Sequence, residues 1–178
     1  MIKCSAIDHA VLRRWSDRGI NMAKRTIRLR DDEILRKHCK VVKEITPAIL
    51  TLLDDMAETM YAAEGVGLAA PQVGVLKRIV VIDVGDGLLE MINPEIIERE
   101  GYQTGEEGCL SLPGACAEVT RPFYVKARAM NRDGEMFEVE GEELLARAIC
   151  HELDHLDGIL YIDRANDGTY YEANEDDE

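Results

Sequence analysis

Residues 124–158, YVKARAMNRDGEMFEVEGEELLARAICHELDHLDG, decide the fold class. Tyr124 to Met130 alternates with period 2, the pattern of a half-buried strand. Asn131-Arg132-Asp133-Gly134 is a turn, and Met136 to Val139 returns as its hairpin partner. The period then changes to that of a helix, expected from about Glu142 to Asp157, with acids in its first turn and Gly158 just past its end. A hairpin running into an amphipathic helix, rather than alternating strand and helix, predicts an α+β fold.

The same logic extends outward in both directions. A helix is expected from about Thr46 to Ala63, with Thr46 as N-cap, Pro47 in the first turn and Gly65 at the stop. Ile49, Leu52, Leu53, Met56 and Met60 recur at helical spacing and form its buried face. A glycine-rich loop follows, Gly65-Val66-Gly67-Leu68-Ala69-Ala70-Pro71-Gln72-Val73-Gly74. Arg78 to Asp83 reads as a β-branched strand, Leu88 to Ile92 as its hairpin partner, and Asn93-Pro94 as a breaker. Ile159 to Ile162 reads as a closing strand, and the acidic tail after Ala165 as frayed. The expected architecture is thus antiparallel β-sheets around a central helix that carries an HExxH-type metal motif.

With 178 residues, of which 46% are hydrophobic and 31% charged, the chain suits one globular domain. No apolar run approaches the ~20 residues that span a bilayer, so no membrane partner is expected. Lys and Arg number 21 against 35 Asp and Glu, a net charge of −14, which repels phosphate backbones and argues against direct nucleic-acid binding. The charge is uneven. Residues 1–30 hold eight Lys/Arg against Asp8 and Asp17 (8 − 2 = +6), leaving 13 basic and 33 acidic groups elsewhere (13 − 33 = −20). Residues 1–21 lack the apolar core of an export signal and show no clean periodicity, while Met22-Ala23-Lys24 looks like an ordinary start. They are read as an N-terminal extension, peripheral or non-native, before a single domain over 22–165 and an acidic C-terminal tail over 166–178. Five scattered cysteines without an export signal predict reduced thiols in a cytoplasmic compartment.

His151-Glu152-Leu153-Asp154-His155 carries the chemistry. Four residues at ~100° each place two imidazoles within ~40° of one another, about 6 Å apart along the helix. Both can reach one divalent ion, and Glu152, one position on, can reach a water bound to it. Two histidines at this spacing are often merely packed. Here, though, they are half of the four in the chain, and a charged Glu sits in an apolar stretch where burial is costly. The missing third ligand is sought upstream, in Glu107-Gly108-Cys109-Leu110-Ser111. Cys109 as thiolate would complete a three-ligand site with one open position.

These three segments, Gly65 to Gln72, Glu107 to Ser111 and His151 to His155, match in order the motifs of the peptide deformylase family. The chain resembles that family from about Ile27 to Asp163, including Asp31-Asp32-Glu33-Ile34-Leu35-Arg36. The resemblance implies a hydrolase that removes the formyl group from N-formylmethionine on nascent peptides. It implies Fe2+ as the physiological ion, with Zn2+, Ni2+ or Co2+ able to occupy the site. It further implies Gln72 and the Leu110 backbone N–H as oxyanion donors, and Val66 and Gly67 as the strand that pairs with the peptide. Glu152 would act as general base and then acid towards the metal's water. Val66, Leu110 and Ala148 are candidates for the methionine pocket. Arg121 is expected to neutralise Asp154.

Cys150, Cys116, His38 and His9 are read as packing or surface residues, and Trp15 carries no role. Some relatives dock on the ribosome through a basic final helix. Glu172 to Glu178 is acidic here, leaving at most a transient ribosome encounter. A metallopeptidase is the alternative enzyme, and the alternative without catalysis is a structural metal site, normally closed by four protein ligands, or a redox-responsive binding module.

Overall fold

A computed structural model describes residues 23–172. The expectations for residues 1–21, His9 and Trp15 therefore lie outside the described residues, as does the last stretch of the acidic tail. Among the described residues there are two α-helices, α1 (Pro47–Ala62) and α2 (Glu143–Leu156), and eight strands. The strands are β1 (Gly67–Ala69), β2 (Ile79–Ile82), β3 (Leu89–Glu100), β4 (Gln103–Cys109), β5 (Leu112–Arg121), β6 (Tyr124–Met130), β7 (Met136–Glu142) and β8 (Tyr171–Glu172). They form a five-stranded sheet of order β1-β2-β3-β6-β7 and a three-stranded sheet of order β4-β5-β8. Every pairing within these sheets is antiparallel.

The buried strand β2 explains how two helices share one sheet. Ile79 and Val81 point into a core with Leu52, Leu53, Met56 and Met60 of α1. Val80 and Ile82 point the other way, into a core with Ala146, Ile149 and Leu153 of α2. Period-2 alternation thus gives each helix its own face, and the strand reads as an unbroken apolar run because both faces are covered. Ala117 and Val119 of β5 belong to a third cluster with Cys109, Leu160 and Tyr161. The α2 helix packs against β1, β2, β6 and β7 of the five-stranded sheet and against β5 of the other.

Several boundaries differ from the expectation. Asn93-Pro94 does not break the strand: β3 continues to Glu100 through a register shift between Ile92 and Glu95. Asn93 takes a left-handed conformation at φ 53°, and its side-chain amide pairs with both backbone groups of Val42 at 2.8 Å. A bulge with its own side-chain partner accommodates the proline. Ile159 to Ile162 is not a strand but leads into a 3-10 turn at Tyr161–Asp163, in which the Leu160 N–H donates to the Asp163 carboxylate at 2.8 Å. Nor does the chain fray directly after Ala165. The Asn166 N–H bonds to Glu118 O at 2.8 Å, and β8 pairs with Ala115 and Cys116 of β5.

The α1 stop is also resolved differently. The left-handed residue is Glu64, at φ 55°, while Gly65 donates its N–H to Met60 O at 3.0 Å. Gly65 is small for another reason: a β-carbon there would lie 2.8 Å from Leu110 Cδ1. At the end of α2, by contrast, Gly158 is needed twice over. Its φ is 73°, and a β-carbon would meet the Arg36 carbonyl oxygen at 2.6 Å. Gly158→Ala is expected to cost about 2–3 kcal/mol, read as a fall in Tm, because the neighbour is backbone and cannot rotate away.

Candidate active site

Cys109 ends β4, immediately before the tight Leu110-Ser111 connection to β5, where the register jumps so that Cys109 faces Leu112. The Glu107 to Ser111 segment is therefore the end of β4 plus the turn into β5. His151 and His155 project from successive turns of α2, their ring centroids 5.0 Å apart and their planes at 77°. Cys109 Sγ, His151 and His155 offer ligand atoms that all lie within 4.8 Å of one another, and all three residues are buried. Cys109 Sγ stands 3.3 Å from His155 Nε2. Donors of a tetrahedral site with bonds of about 2.0–2.3 Å lie roughly 3.3–3.6 Å apart, so the spacing fits one ion. Among the described residues this is the only such cluster, and it has three members, one fewer than the four protein ligands that close a structural zinc site.

The two buried imidazoles are shifted in opposite directions. Burial opposes a charged His151, but hydrogen bonds to Cys109 and Glu107 outweigh it and hold its pKa well above the ordinary imidazole value. Burial and the adjacent His151 push His155 well below it.

Glu107, to which the sequence reading gave no separate role, is the hub beneath the cluster. It is wholly buried. Its Oε2 lies 2.9 Å from His151 Nδ1, which orients the ring so that Nε2 faces the cluster. Arg121 grips both Glu107 oxygens at 2.9 Å through Nε and Nη2, and Arg147 adds a third contact at 2.8 Å. Burial raises the Glu107 pKa, but the hydrogen bonds from Arg121 and His151 reverse this and hold it far below the usual carboxylate range. The signal for Arg147 was its position four residues before His151, on the same helical face. Tyr161, also unassigned from sequence, stacks on the His151 ring at 6.0 Å.

Arg121 also donates to Asp154 at 2.5 Å, the pairing expected from sequence, while Arg164 meets the same carboxylate at 3.0 Å. Arg121 therefore ties β5 to both the His151 support and α2. Arg121→Ala is expected to destabilise the fold by about 3 kcal/mol and to lower metal retention, measured by Tm and by metal analysis. Arg147 and Arg164 remain to partner Glu107 and Asp154, which keeps the loss at the low end for a broken buried pair.

Gln72, Leu110, Val66, Gly67, Ala148 and Glu152 line one cavity with Cys109 and His151. Gln72 follows β1 in a 3-10 turn at Ala70–Val73. Its Oε1 accepts from Ala69 N–H at 2.8 Å, and its Nε2 points to Ser111 Oγ at 3.1 Å and to Cys109 Sγ at 3.3 Å. The amide orientation is fixed by the Ala69 bond, and its N–H groups face the metal cluster. Neither Gly65 nor Gly67 adopts a left-handed conformation. Glu152 is buried, and its Oε2 has no hydrogen-bond partner. Burial raises its pKa to about 7, although His151 works in the opposite direction. Cys150 stays out of the cluster, its thiol raised to about 11 by burial. His38 is an exposed surface residue, its ring 3.9 Å from Asp157.

An α+β domain with a buried Cys/His/His cluster and a buried carboxylate lining the cavity beside it has the architecture of a mononuclear metallohydrolase. The polypeptide deformylase family profile matches residues 24–170. A peptide deformylase of Agathobacter rectalis is 64% identical over 158 residues, covering 86% of this chain and all of that one. The peptide deformylase of Acetivibrio thermocellus is 68% identical over 143 residues, 80% of this chain and 84% of its own. Among solved structures, peptide deformylase from Thermotoga maritima superposes with a TM-score of 0.79 at 43% identity, covering 81% of this chain and 99% of that one. The Synechococcus elongatus enzyme in complex with actinonin gives 0.79 at 37% identity, covering 84% and 82%. The chain belongs to the peptide deformylase family, metal-dependent hydrolases that remove the N-formyl group from nascent peptides. No helix among the described residues is long and apolar enough to cross a membrane.

Proposed function

We propose that Cys109, His151 and His155 hold a single divalent ion, Fe2+ in the cell with Zn2+ or Ni2+ as substitutes. Glu152 carries the proton in hydrolysis of the formyl amide of N-formylmethionyl peptides. The observation that supports this most is the convergence of three donor atoms within 4.8 Å beside a buried carboxylate. When bound, the ion supplies Lewis acidity, bringing the pKa of water towards ~7 and polarising the formyl oxygen.

The protein's own groups do the rest. Glu152, its pKa near neutrality through burial, is matched to accept a proton from the attacking water and deliver it to the departing amine. Gln72 Nε2 and the Leu110 backbone N–H donate to the formyl oxygen as it becomes negative, which removes part of the cost of that charge. Gln72 reaches this role by exchanging its present contact with Ser111 for the substrate. The strand β1 is the edge of its sheet, so Gly67 offers backbone groups to an extended peptide in the manner of strand addition, and Val66, whose C=O accepts from Asp83 N–H at 2.9 Å, contributes through its N–H. Val66, Leu110 and Ala148 supply apolar contact for the methionine side chain. The catalytic domain is residues 22–165, working in the cytoplasm, with ribosome encounters that are transient and without direct nucleic-acid binding.

Formate release from formyl-Met-Ala, set beside casein digestion with the same metal-loaded sample, tests this reading. Formate release without casein cleavage is the expected result. Casein cleavage without formate release would replace it with a metallopeptidase.

A further inference from the structure

Gly67 does not sit in a left-handed conformation, and its place opposite Ile82 in β1 is one that any residue can take. What it lacks is volume in one direction. A β-carbon on Gly67 would stand 2.8 Å from Cδ and 2.9 Å from Cγ of Glu152, and nearer still to Oε1. Carbon atoms in contact rest at about 3.5–4.0 Å, so the carboxylate occupies space that any side chain at 67 would fill. Glu152 is 4% exposed, and its Oε2 has no hydrogen-bond partner. Its place is therefore set by packing, with the bare backbone of β1 as one wall.

We propose that Gly67 is a positioning residue for Glu152: its missing side chain creates the slot that aims the carboxylate at the reacting water. The proposal rests on the reading of Glu152 as the proton carrier and adds to Gly67 a role separate from peptide pairing. The peptide would use the backbone N–H and C=O of residue 67, and these survive substitution by Ala. The slot does not.

The test is a double-variant cycle of Gly67→Ala and Glu152→Ala, each protein loaded with Co2+ and checked for metal content. A displacement of about 1 Å at a catalytic group is worth roughly a hundredfold, so Gly67→Ala should lower kcat about 100-fold with KM within about threefold of the parent. Ala at 152 has neither Cγ nor Cδ, so the new β-carbon at 67 meets nothing there. In the Glu152→Ala background, Gly67→Ala should therefore cost less than about threefold of the remaining kcat. Any Tm that Gly67→Ala loses in the parent should not be lost when the same change is made in Glu152→Ala, a readout that applies even where the single variant folds poorly. An equal loss in both backgrounds, a rise in KM with kcat unchanged, or an equal Tm loss in both backgrounds would overturn the proposal. If Glu152→Ala alone leaves kcat at the parental level, the reading of Glu152 itself fails, a result distinct from the others.

Discussion

Replacing Glu152 with Ala is expected to lower kcat/KM for a formylmethionyl peptide by about 10²–10⁴-fold while the protein keeps its ion. The expectation follows from where Glu152 sits. It is next to His151 in sequence but outside the cluster of donor atoms, and it faces the same cavity as Cys109. Its carboxylate makes no ion pair with Arg121 or Arg147, so removing it breaks none of the contacts that hold β5 to α2. A buried carboxylate without a partner costs stability, and Glu152→Ala should leave Tm unchanged or raise it. Loss of activity with retained metal and an undiminished Tm is the signature of a proton carrier. Metal analysis, calorimetry and formate release on one sample measure all three.

Glu107→Gln should produce the largest loss of stability, about 3–5 kcal/mol, together with weakened metal retention. Three positively charged or hydrogen-bonding groups converge on this one carboxylate: Arg121 in bidentate fashion, Arg147, and the His151 ring. An amide of the same shape fills the space but leaves the two buried guanidinium groups short of a counter-charge. It also leaves His151 less firmly oriented. The pH dependence has a definite sign. The folded pKa of Glu107 is depressed, so its contribution is complete above the unfolded carboxylate value near 4.3 and is lost as pH falls through the folded value. Tm measured from pH 7 downward should therefore fall less steeply in the variant than in the parent. Equal Tm at pH 7 for parent and Glu107→Gln would contradict the hub assignment.

Both helices were legible in the sequence because each buries a stripe at helical spacing. The five apolar positions foreseen for α1 are all buried. The pair His151 and His155 was legible because a four-residue step fixes geometry without tertiary information. The hairpin β4–β5 was not. In Gln103–Cys109, QTGEEGC, burial alternates at first and then runs continuously through Glu107, Gly108 and Cys109. Its most buried member is a glutamate, which hydropathy places on the surface. Arg121 from β5, with Arg147 and His151 from α2, makes that burial tolerable, and such partners cannot be read from local pattern. The continuation of β3 was hidden for a related reason. Asn93-Pro94 spells a break, yet Val42, from a distant segment, supplies the hydrogen bonds that turn it into a bulge. The smallness of Gly65 and Gly67 was visible, but its cause was not: each clears a particular side chain, Leu110 and Glu152, packed across from it.

The account depends most directly on what surrounds the ion. X-ray absorption on protein loaded with a single Zn2+ per chain reads the ligand shell without reference to activity. One sulfur at about 2.3 Å, two imidazole nitrogens at about 2.0–2.1 Å and one light, exchangeable ligand are predicted. A shell without sulfur, or one closed by a fourth protein side chain, would contradict the assignment of Cys109, His151 and His155 as an open catalytic site.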